Sequence, residues 1–128
     1  MPQLGAIGIV SRDLARSAAF YRLLGVDVPE PDGDHLDVTL PSGVRLMWDE
    51  VALIKKLDPG WSPPAGGHAM SLAFECSSPA EVDETHARVV AAGFDSKTEP
   101  YDAFWGQRYA TVVDPDGNAV DVFASLAG

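Results

Sequence analysis

Residues 13–25 read DLARSAAFYRLLG, and this stretch decides the fold that the rest of the chain is expected to adopt. Asp13 is a good N-cap because its carboxylate can accept the free backbone N–H groups of a first helical turn. Gly25 can take the left-handed conformation that ends many helices. The apolar residues between them recur at helical spacing, at Leu14, Ala18, Tyr21 and Leu24. The stretch therefore predicts a helix with one buried face.

A second stretch repeats this design in the other half of the chain. Residues 78–93 read SPAEVDETHARVVAAG. Ser78 as N-cap, Pro79 at the first helical position and Glu81 at the third form a capping box. The buried stripe is expected at Val82, His86, Val89 and Val90, and Gly93 ends the helix as Gly25 does. The chain is thus expected to contain an internal repeat.

Each helix lies within a similar series of predicted strands. In the first half these are residues 4–10, 35–40 and 44–49, and the last two flank a turn at 41–43. In the second half they are residues 69–76, 94–98, 108–113 and 119–123, with a Pro-Gly turn at 114–118. We predict an α+β fold of two βαβββ modules, in which the third strand of the first module has no assigned bounds. A generic α+β sandwich with accidental similarity between its halves is the alternative.

The length of 128 residues fits a single domain over residues 1–128. Module one is expected over about 3–58 and module two over about 68–126, with a further short helix at 51–57. Residues 58–67 are rich in Pro and Gly, which indicates a linker.

The chain carries 9 Lys and Arg residues against 19 Asp and Glu residues, a net charge of −10. Such an acidic surface repels phosphate backbones, so no nucleic-acid partner is expected. The charge either attracts a cationic ligand or only maintains solubility. Cys76 is the single cysteine, so neither an intrachain disulfide nor a cysteine-based zinc site is expected. No stretch indicates a signal peptide or a membrane span, and we expect a cytoplasmic protein without a membrane partner.

Two segments are similar to those of a known superfamily. Residues 13–25 resemble the first-helix signature of the glyoxalase/bleomycin-resistance/dioxygenase superfamily, also called vicinal oxygen chelate proteins. The Trp-Gly-Gln-Arg segment at 105–108 and the Asp-Pro-Asp-Gly-Asn turn at 114–118 resemble the C-terminal hairpin of its bleomycin-resistance branch. The resemblance implies curled mixed sheets that form a cup, often closed by a second chain in a domain-swapped or side-by-side homodimer.

The resemblance also implies four metal-ligand positions in the cup, which enzymes of the superfamily fill with His, Gln or Glu. On this chain they fall at Ala6, Met47, Ser71 and Asp121. Only the aspartate suits a hard or borderline cation, because alanine has no donor, methionine is soft and serine is a weak neutral ligand. A catalytic site generally needs about three protein donors, so we expect no metal and no other cofactor. A rearranged metal site is the alternative, built from His35, His68, Glu75 and Asp121.

Strand alternation assigns the neighbouring side chains to two faces. If the ligand positions face the cup, its lining is mostly small: Ala6, Gly8, Ser71 and Ala73, together with Met47. The core is then expected to contain Ile7, Ile9, Leu46, Trp48, Met70, Leu72, Phe74, Val120 and Val122. Small side chains leave space for a bulky organic ligand, or let a dimer partner approach.

Several residues are candidates for contact with such a ligand. In bleomycin-resistance-like proteins the matching tryptophan lies beside the ligand groove, which the resemblance transfers to Trp105, with Phe104 before it. Trp61 either forms the opposite wall or pins the linker to the body. Arg108 either orients an acidic group or pairs with a surface carboxylate. The remaining predicted contacts are Met47, Ser71, Asp121 and, at the start of a strand near the rim, His35.

The preferred functional hypothesis is a metal-independent binding protein of the bleomycin-resistance type, which sequesters an aromatic antibiotic or metabolite that can be cationic. One alternative is an enzyme, either a glyoxalase-like lyase, isomerase or dioxygenase with an altered metal site, or a metal-free acid–base catalyst that uses Asp121. Another is an interaction module whose sheet edges only build a dimer. Binding is preferred because of the Trp105 segment, the metal-poor cup and the acidic net charge, and no pair of nucleophile and base is evident in the sequence.

Overall fold

The computed structural model of the chain describes residues 1–67 and 69–127. They form two compact units, Met1–Gly66 and the part that starts at Gly67. The first unit contains β1 (Ala6–Ser11), α1 (Leu14–Arg22), β2 (His35–Thr39), β3 (Arg45–Glu50) and α2 (Val51–Leu57). The second contains β4 (Ser71–Glu75), α3 (Pro79–Ala91), β5 (Asp95–Ala103), β6 (Gln107–Val113) and β7 (Ala119–Ser125). The predicted α+β class, with two mixed sheets, is confirmed.

The first unit packs α1 against a three-stranded sheet in the order β1-β3-β2. β3 runs parallel to β1 and antiparallel to β2. Leu46 and Trp48 of β3 are buried, and the ring of Trp48 lies 5.1 Å from that of Tyr21 on α1. Met47 lies between them in sequence and is only partly buried. The predicted core face of β3 is therefore confirmed.

The second unit packs α3 against a four-stranded sheet in the order β4-β7-β6-β5. β7 runs parallel to β4 and antiparallel to β6. Val82 of α3 and both Val120 and Val122 of β7 are buried, as predicted. Met70 is exposed, so its predicted place in the core is wrong. The reason is that β4 begins only at Ser71, which leaves Met70 outside the paired strand.

The first unit has three strands where the second has four, so the prediction of two complete βαβββ modules is wrong for module one. Within the described residues no strand lies between α1 and β2. Val26 and Val28 are buried at alternate positions, as strand residues would be. Pro29 and Pro31 follow them and have no backbone N–H to donate to a ladder, which disfavours regular pairing there. The sheet of the first unit therefore ends at β2.

Both predicted helix starts are confirmed. The carboxylate of Asp13 accepts a hydrogen bond from the backbone N–H of Arg16 at 3.2 Å. The hydroxyl of Ser78 accepts one from the backbone N–H of Glu81, also at 3.2 Å. The carboxylate of Glu81 accepts in return from the N–H of Ser77 at 3.0 Å. These bonds satisfy N–H groups that have no partner within a helix.

Neither sheet is strongly curled, which corrects the expectation of curled sheets. Sheets of three and four strands are narrow, and sheets of this width twist without closing on themselves. The cup and the domain-swapped or side-by-side homodimer stay predictions. No helix in the described part of the chain is long and apolar enough to cross a membrane.

Candidate functional site

The sheet of the second unit has one face against α3, and the opposite face, called the far face below, carries polar and aromatic side chains. Strand alternation places Tyr109 and Thr111 of β6 on the far face, while the buried Ala110 between them points towards α3. The register pairs Thr111 with Asp121 of β7 and Tyr109 with Phe123. Hydroxyl, carboxylate and aromatic groups are thus brought together by two adjacent strands.

Asp121 is the central polar group of the far face, and it is only 9% exposed. Its Oδ2 accepts hydrogen bonds from Tyr109 OH at 2.6 Å and from Ser71 Oγ at 3.4 Å. Its Oδ1 accepts one from Thr111 Oγ1 at 2.7 Å. All three donors are neutral hydroxyls, and no basic side chain of the described residues pairs with this carboxylate. A buried carboxylate is costly unless it is hydrogen-bonded, so the hydroxyls stabilise it in place.

The pKa of Tyr109 is changed by its burial and by its hydrogen bond to Asp121. Burial, followed by the hydrogen bond to Asp121 and the nearby charge of that residue, raises the pKa of Tyr109 to about 12. All these causes raise the pKa, because burial, donation of the phenol hydrogen to Asp121 and a neighbouring negative charge each disfavour the phenolate. The phenol therefore stays protonated at neutral pH and keeps donating to Asp121.

Trp105 lies in the turn between β5 and β6, where its ring meets three others edge to face. The ring centroids lie 5.0 Å from Phe104, 5.4 Å from Tyr109 and 6.4 Å from Tyr101. Its indole N–H donates to the side-chain oxygen of Gln107 at 2.8 Å. Trp105 is 48% exposed and Phe104 is 97% exposed, so this aromatic group presents accessible ring surface.

Tyr109 joins the aromatic group to the carboxylate. Its ring contacts Trp105, its hydroxyl donates to Asp121, and on its other side it stacks on Phe123 at 6.2 Å. An aromatic surface and a hydrogen-bonded carboxylate therefore share one side chain. A flat molecule on the rings would gain dispersion and quadrupole contacts of about 0.5–1.5 kcal/mol per pair beyond area burial.

Arg108 is placed away from this arrangement, because it points to the α3 side of β6. Its Nε and Nη2 donate to the two oxygens of Asp83 on α3 at 3.0 and 3.3 Å. Its Nη1 donates to Asp102 of β5 at 3.0 Å. The hydrogen bonds to Asp83 and, after them, the one to Asp102 raise the pKa of Arg108 above its usual value. Of the two predicted roles, pairing with a surface carboxylate is the one that the structure supports.

Met47 is a predicted contact residue that lies in the first unit. Its Cε lies 3.7 Å from the point that a Cβ on Gly8 of β1 would occupy. Its sulfur accepts from Arg45 Nη2 at 3.2 Å. The long Met47 side chain therefore covers part of the space that the small residues of β1 were expected to leave.

His35 also lies in the first unit, between two carboxylates. Its Nε2 lies 2.8 Å from Asp37 Oδ2, and its Nδ1 contacts Asp49 Oδ1. The hydrogen bond to Asp49, followed by that to Asp37, raises the pKa of His35 and favours the protonated ring. Trp61 follows α2 in the same unit, where its backbone N–H donates to the carbonyl of Asp58 at 3.0 Å.

Comparison with known proteins settles the family. The model of the Glyoxalase/Bleomycin resistance protein/Dioxygenase superfamily matches residues 3–122. The chain belongs to this superfamily. A glyoxalase/bleomycin resistance protein/dioxygenase from Nocardioides is 29% identical with a TM-score of 0.78, over 100% of this chain and 86% of that one. A protein from Agrobacterium tumefaciens, solved by NMR, is also 29% identical, with a TM-score of 0.76 over 100% of both chains.

A structure of lactoylglutathione lyase from Agrobacterium tumefaciens matches with a TM-score of 0.69 and 22% identity, over 95% of this chain and 92% of that one. At this identity the likeness shows the fold alone. No curated protein matches the chain significantly. The predicted superfamily is thereby confirmed, whereas these comparisons do not single out its bleomycin-resistance branch.

The residues of this superfamily member do not fit the metal site that its enzymes use. Ala6 offers no donor, and the thioether of Met47 is a soft ligand unsuited to hard or borderline cations. Ser71 and Asp121 remain, and these two residues fall short of the about three protein donors that a catalytic metal site generally needs. Among residues 1–67 and 69–127, no three His, Cys, Asp or Glu side chains are grouped so that they could hold a metal ion.

The alternative, rearranged metal site also gains no support. His35 is engaged by two carboxylates of the first unit. Glu75 lies exposed on β4 of the second unit, and His68 lies outside the described residues. A divalent cation at His35 would have to displace at least one of its carboxylate partners.

Sequence reasoning missed Tyr109 and Thr111, although a signal was present. Asp121 is a single charged residue in an otherwise apolar strand, so it needs hydrogen-bond donors from a neighbouring strand. The turn at 114–118 pairs residue 113 with 119, and therefore 111 with 121. Hydroxyl-bearing residues at alternate positions of β6 could thus have been assigned to Asp121.

Proposed function

We propose that this chain is a metal-independent binding protein of the bleomycin-resistance type, which sequesters an aromatic antibiotic or metabolite on the far face of its second unit. Trp105 makes the main ring contact, and Asp121 supplies the polar anchor. The observation that carries the proposal is the half-exposed Trp105 ring, joined through Tyr109 to a buried carboxylate that has no cationic partner among residues 1–67 and 69–127.

The hydrogen-bond network supports binding rather than acid–base chemistry. Three hydroxyls donate to Asp121 and hold its carboxylate in one position. Tyr109 has a pKa of about 12, which makes it a poor proton donor at neutral pH. The Tyr109 phenol is therefore not tuned towards the working range of a general acid. The hydrogen-bonded Tyr109 and Asp121 side chains instead hold fixed positions, as a recognition surface requires.

The charge distribution favours a cationic ligand over an anionic one. In the described part of the chain, Oδ1 of Asp121 accepts one hydrogen bond, from the Thr111 hydroxyl, and a carboxylate oxygen can accept a second donor. A cationic group placed there would compensate a buried charge whose hydrogen-bond donors among the described residues are all neutral hydroxyls. The net charge of −10 adds long-range attraction for the same class of ligand.

Three acridines of similar shape and different charge test the proposal: proflavine, a planar cation, acridone, its neutral counterpart, and acridine carboxylate, an anion. Binding is measured by isothermal titration calorimetry, with quenching of tryptophan fluorescence as a second signal. We expect proflavine to bind most tightly and Trp105→Ala to weaken it about tenfold or more. Asp121→Asn should reduce the preference for proflavine over acridone.

Val90→Ala is the matched control, because Val90 is an exposed apolar residue on α3 and therefore on the other side of the sheet. It should leave the affinity for proflavine unchanged. If none of the three compounds binds, the proposed function is wrong. Equal affinities of Trp105→Ala and Val90→Ala would remove Trp105 from the site.

A further inference from the structure

The side-chain amide of Gln107 lies on the far face, beside the ring of Trp105. Gln107 occupies an odd-numbered position of β6, as Tyr109 and Thr111 do, so strand alternation directs its side chain to the far face. It is half-buried, and its side-chain oxygen accepts the indole N–H of Trp105 at 2.8 Å. The amide is thus held at the edge of the half-exposed ring that the proposed function assigns to ligand contact.

The hydrogen bond to Trp105 determines the orientation of this amide. An indole N–H can only donate, so the carboxamide of Gln107 has to present its oxygen, and not its nitrogen, to Trp105. The amide nitrogen Nε2 then lies within about 5 Å of the indole nitrogen, because the two polar atoms of one carboxamide are only about 2.3 Å apart. Nε2 carries two N–H donors, and within residues 1–67 and 69–127 no group accepts a hydrogen bond from them. Both donors are therefore left for a ligand that lies on the ring.

The neighbouring donors of the far face are already used within the chain. The three hydroxyls described above direct their hydrogens to Asp121. Trp105 donates its indole hydrogen to Gln107. A ligand acceptor could take one of these hydrogens only by breaking an existing bond, which would leave the former acceptor without that donor. Nε2 of Gln107 can donate to a ligand without breaking any hydrogen bond of the described residues.

We propose that Gln107 determines ligand specificity by donating to a hydrogen-bond acceptor, a carbonyl oxygen or an unprotonated ring nitrogen, at the edge of the flat ligand that lies against Trp105. This inference rests on the proposed function and narrows its ligand class, because a flat cation without such an acceptor is bound less tightly. Gln107 and Thr111, the register partner of Asp121, are separated by three residues of β6. The acceptor and the cationic group of the ligand therefore bind at two separate points of the far face.

Two ligands that differ in a single acceptor test this inference on the full chain. Fluorene and fluorenone, each carrying an aminopropyl chain at the same ring carbon, share a flat ring system and an ammonium group. Only the fluorenone compound has a carbonyl oxygen. Isothermal titration calorimetry measures both affinities. We expect the wild type to bind the fluorenone compound about three- to tenfold more tightly, which is the usual effect of one neutral hydrogen bond.

Gln107→Glu separates recognition of the acceptor from positioning of the ring. A carboxylate still accepts the indole N–H of Trp105, but it offers no N–H to a ligand. The ratio of the two affinities should therefore fall to one or below, while the indole N–H resonance of Trp105 keeps the downfield shift of a hydrogen-bonded group. The added charge acts on both ammonium compounds alike, so it leaves the ratio unchanged. Gln3→Glu, an exposed substitution of the same kind in the first unit, should keep the wild-type ratio.

Equal affinities of the wild type for the two compounds would overturn this inference and leave the proposed function standing, whereas no binding of either compound would overturn both. A wild-type ratio that persists in Gln107→Glu would also overturn it. So would a ratio that is lost in Tyr101→Phe, because the Tyr101 hydroxyl would then be the donor. Should Gln107→Glu fail to fold, the side-chain amide resonances of Gln107 in the wild type decide. They must shift more with the fluorenone compound than with the fluorene compound, and equal shifts refute the inference.

Discussion

At the scale of single residues, Tyr109 and Asp121 form the pair on which the far face most depends. Burial first, and then the hydrogen bond and charge of Asp121, raise the pKa of Tyr109 from 10.0 to about 12. Asp121→Asn keeps an acceptor oxygen but removes the charge. We expect the pKa of Tyr109 to fall in this variant and yet stay above 10.0, since burial remains. Alkaline titration of tyrosinate absorbance measures the shift, and Tyr109→Phe identifies which of the 3 tyrosines carries it.

The same pKa gives this prediction a second readout in stability. The folded pKa of Tyr109 lies above the unfolded value, so the protonated phenol stabilises the fold fully below pH 10.0. That contribution is lost as the pH rises from 10.0 towards about 12. Urea denaturation should show a larger alkaline loss of unfolding free energy in the wild type than in Tyr109→Phe. Equal losses in the two proteins would assign the alkaline sensitivity to another group.

At the scale of the elements, the start of α3 depends on one of two adjacent serines. Ser78 Oγ accepts the Glu81 N–H, whereas the exposed Ser77 contributes only its backbone N–H. We expect Ser78→Ala to lower the free energy of unfolding by about 1 kcal/mol, because a helical N–H loses its partner. Ser77→Ala, the matched control, should change it by less than about 0.5 kcal/mol. Chemical denaturation of both variants compares them directly, and similar losses would contradict the capping role.

The elements also show where sequence reasoning reaches its limit. Helix starts at Asp13 and Ser78 were predictable because a cap acts through bonds only two or three residues away. Between α1 and β2 the alternation of Val26 and Val28 was compatible with a strand, but no strand forms, and Pro29 and Pro31 lack the N–H groups that a ladder would use. β5 extends to Ala103, well beyond its predicted end at residue 98, through irregular pairing with β6. Such bulges depend on the partner strand and leave little trace in the strand's own sequence.

The candidate site shows the same limit, because the sequence predicts single residues better than the contacts between them. The sequence pointed to Trp105 because it opens the Trp-Gly-Gln-Arg segment, and to Asp121 because it is a single charged residue in an otherwise apolar strand. It placed Arg108 among the possible ligand contacts, but strand parity turns this side chain towards Asp83 on α3. The contacts among Trp105, Tyr101 and Tyr109 depend on how β5 and β6 pair, which no single segment determines. Candidate residues could therefore be predicted from the sequence, whereas the contacts among them could be identified only from the folded structure.

At the scale of the whole molecule, the proposed metal independence rests on the four positions that the family resemblance marks as metal ligands, which are Ala6, Met47, Ser71 and Asp121. A metal bound at a hundredfold excess over its Kd would stabilise the fold by about 2.7 kcal/mol, which a melting experiment detects. We expect no rise in Tm with Zn²⁺, Ni²⁺ or Mn²⁺ and no fall after chelation, since three of these positions lack a suitable donor.

Elemental analysis of protein purified without chelators gives the complementary measurement, with a substoichiometric content of divalent metal expected. Asp121→Ala and the exposed Asp95→Ala form a matched pair of variants, because each removes one carboxylate from the second unit. A metal-induced rise in Tm that vanishes in Asp121→Ala but persists in Asp95→Ala would mean that Asp121 coordinates metal. That result would favour a lyase, isomerase or dioxygenase with an altered metal site over a binding protein. A rise that persists in both variants would place the metal elsewhere and leave the hydroxyl network of Asp121 intact.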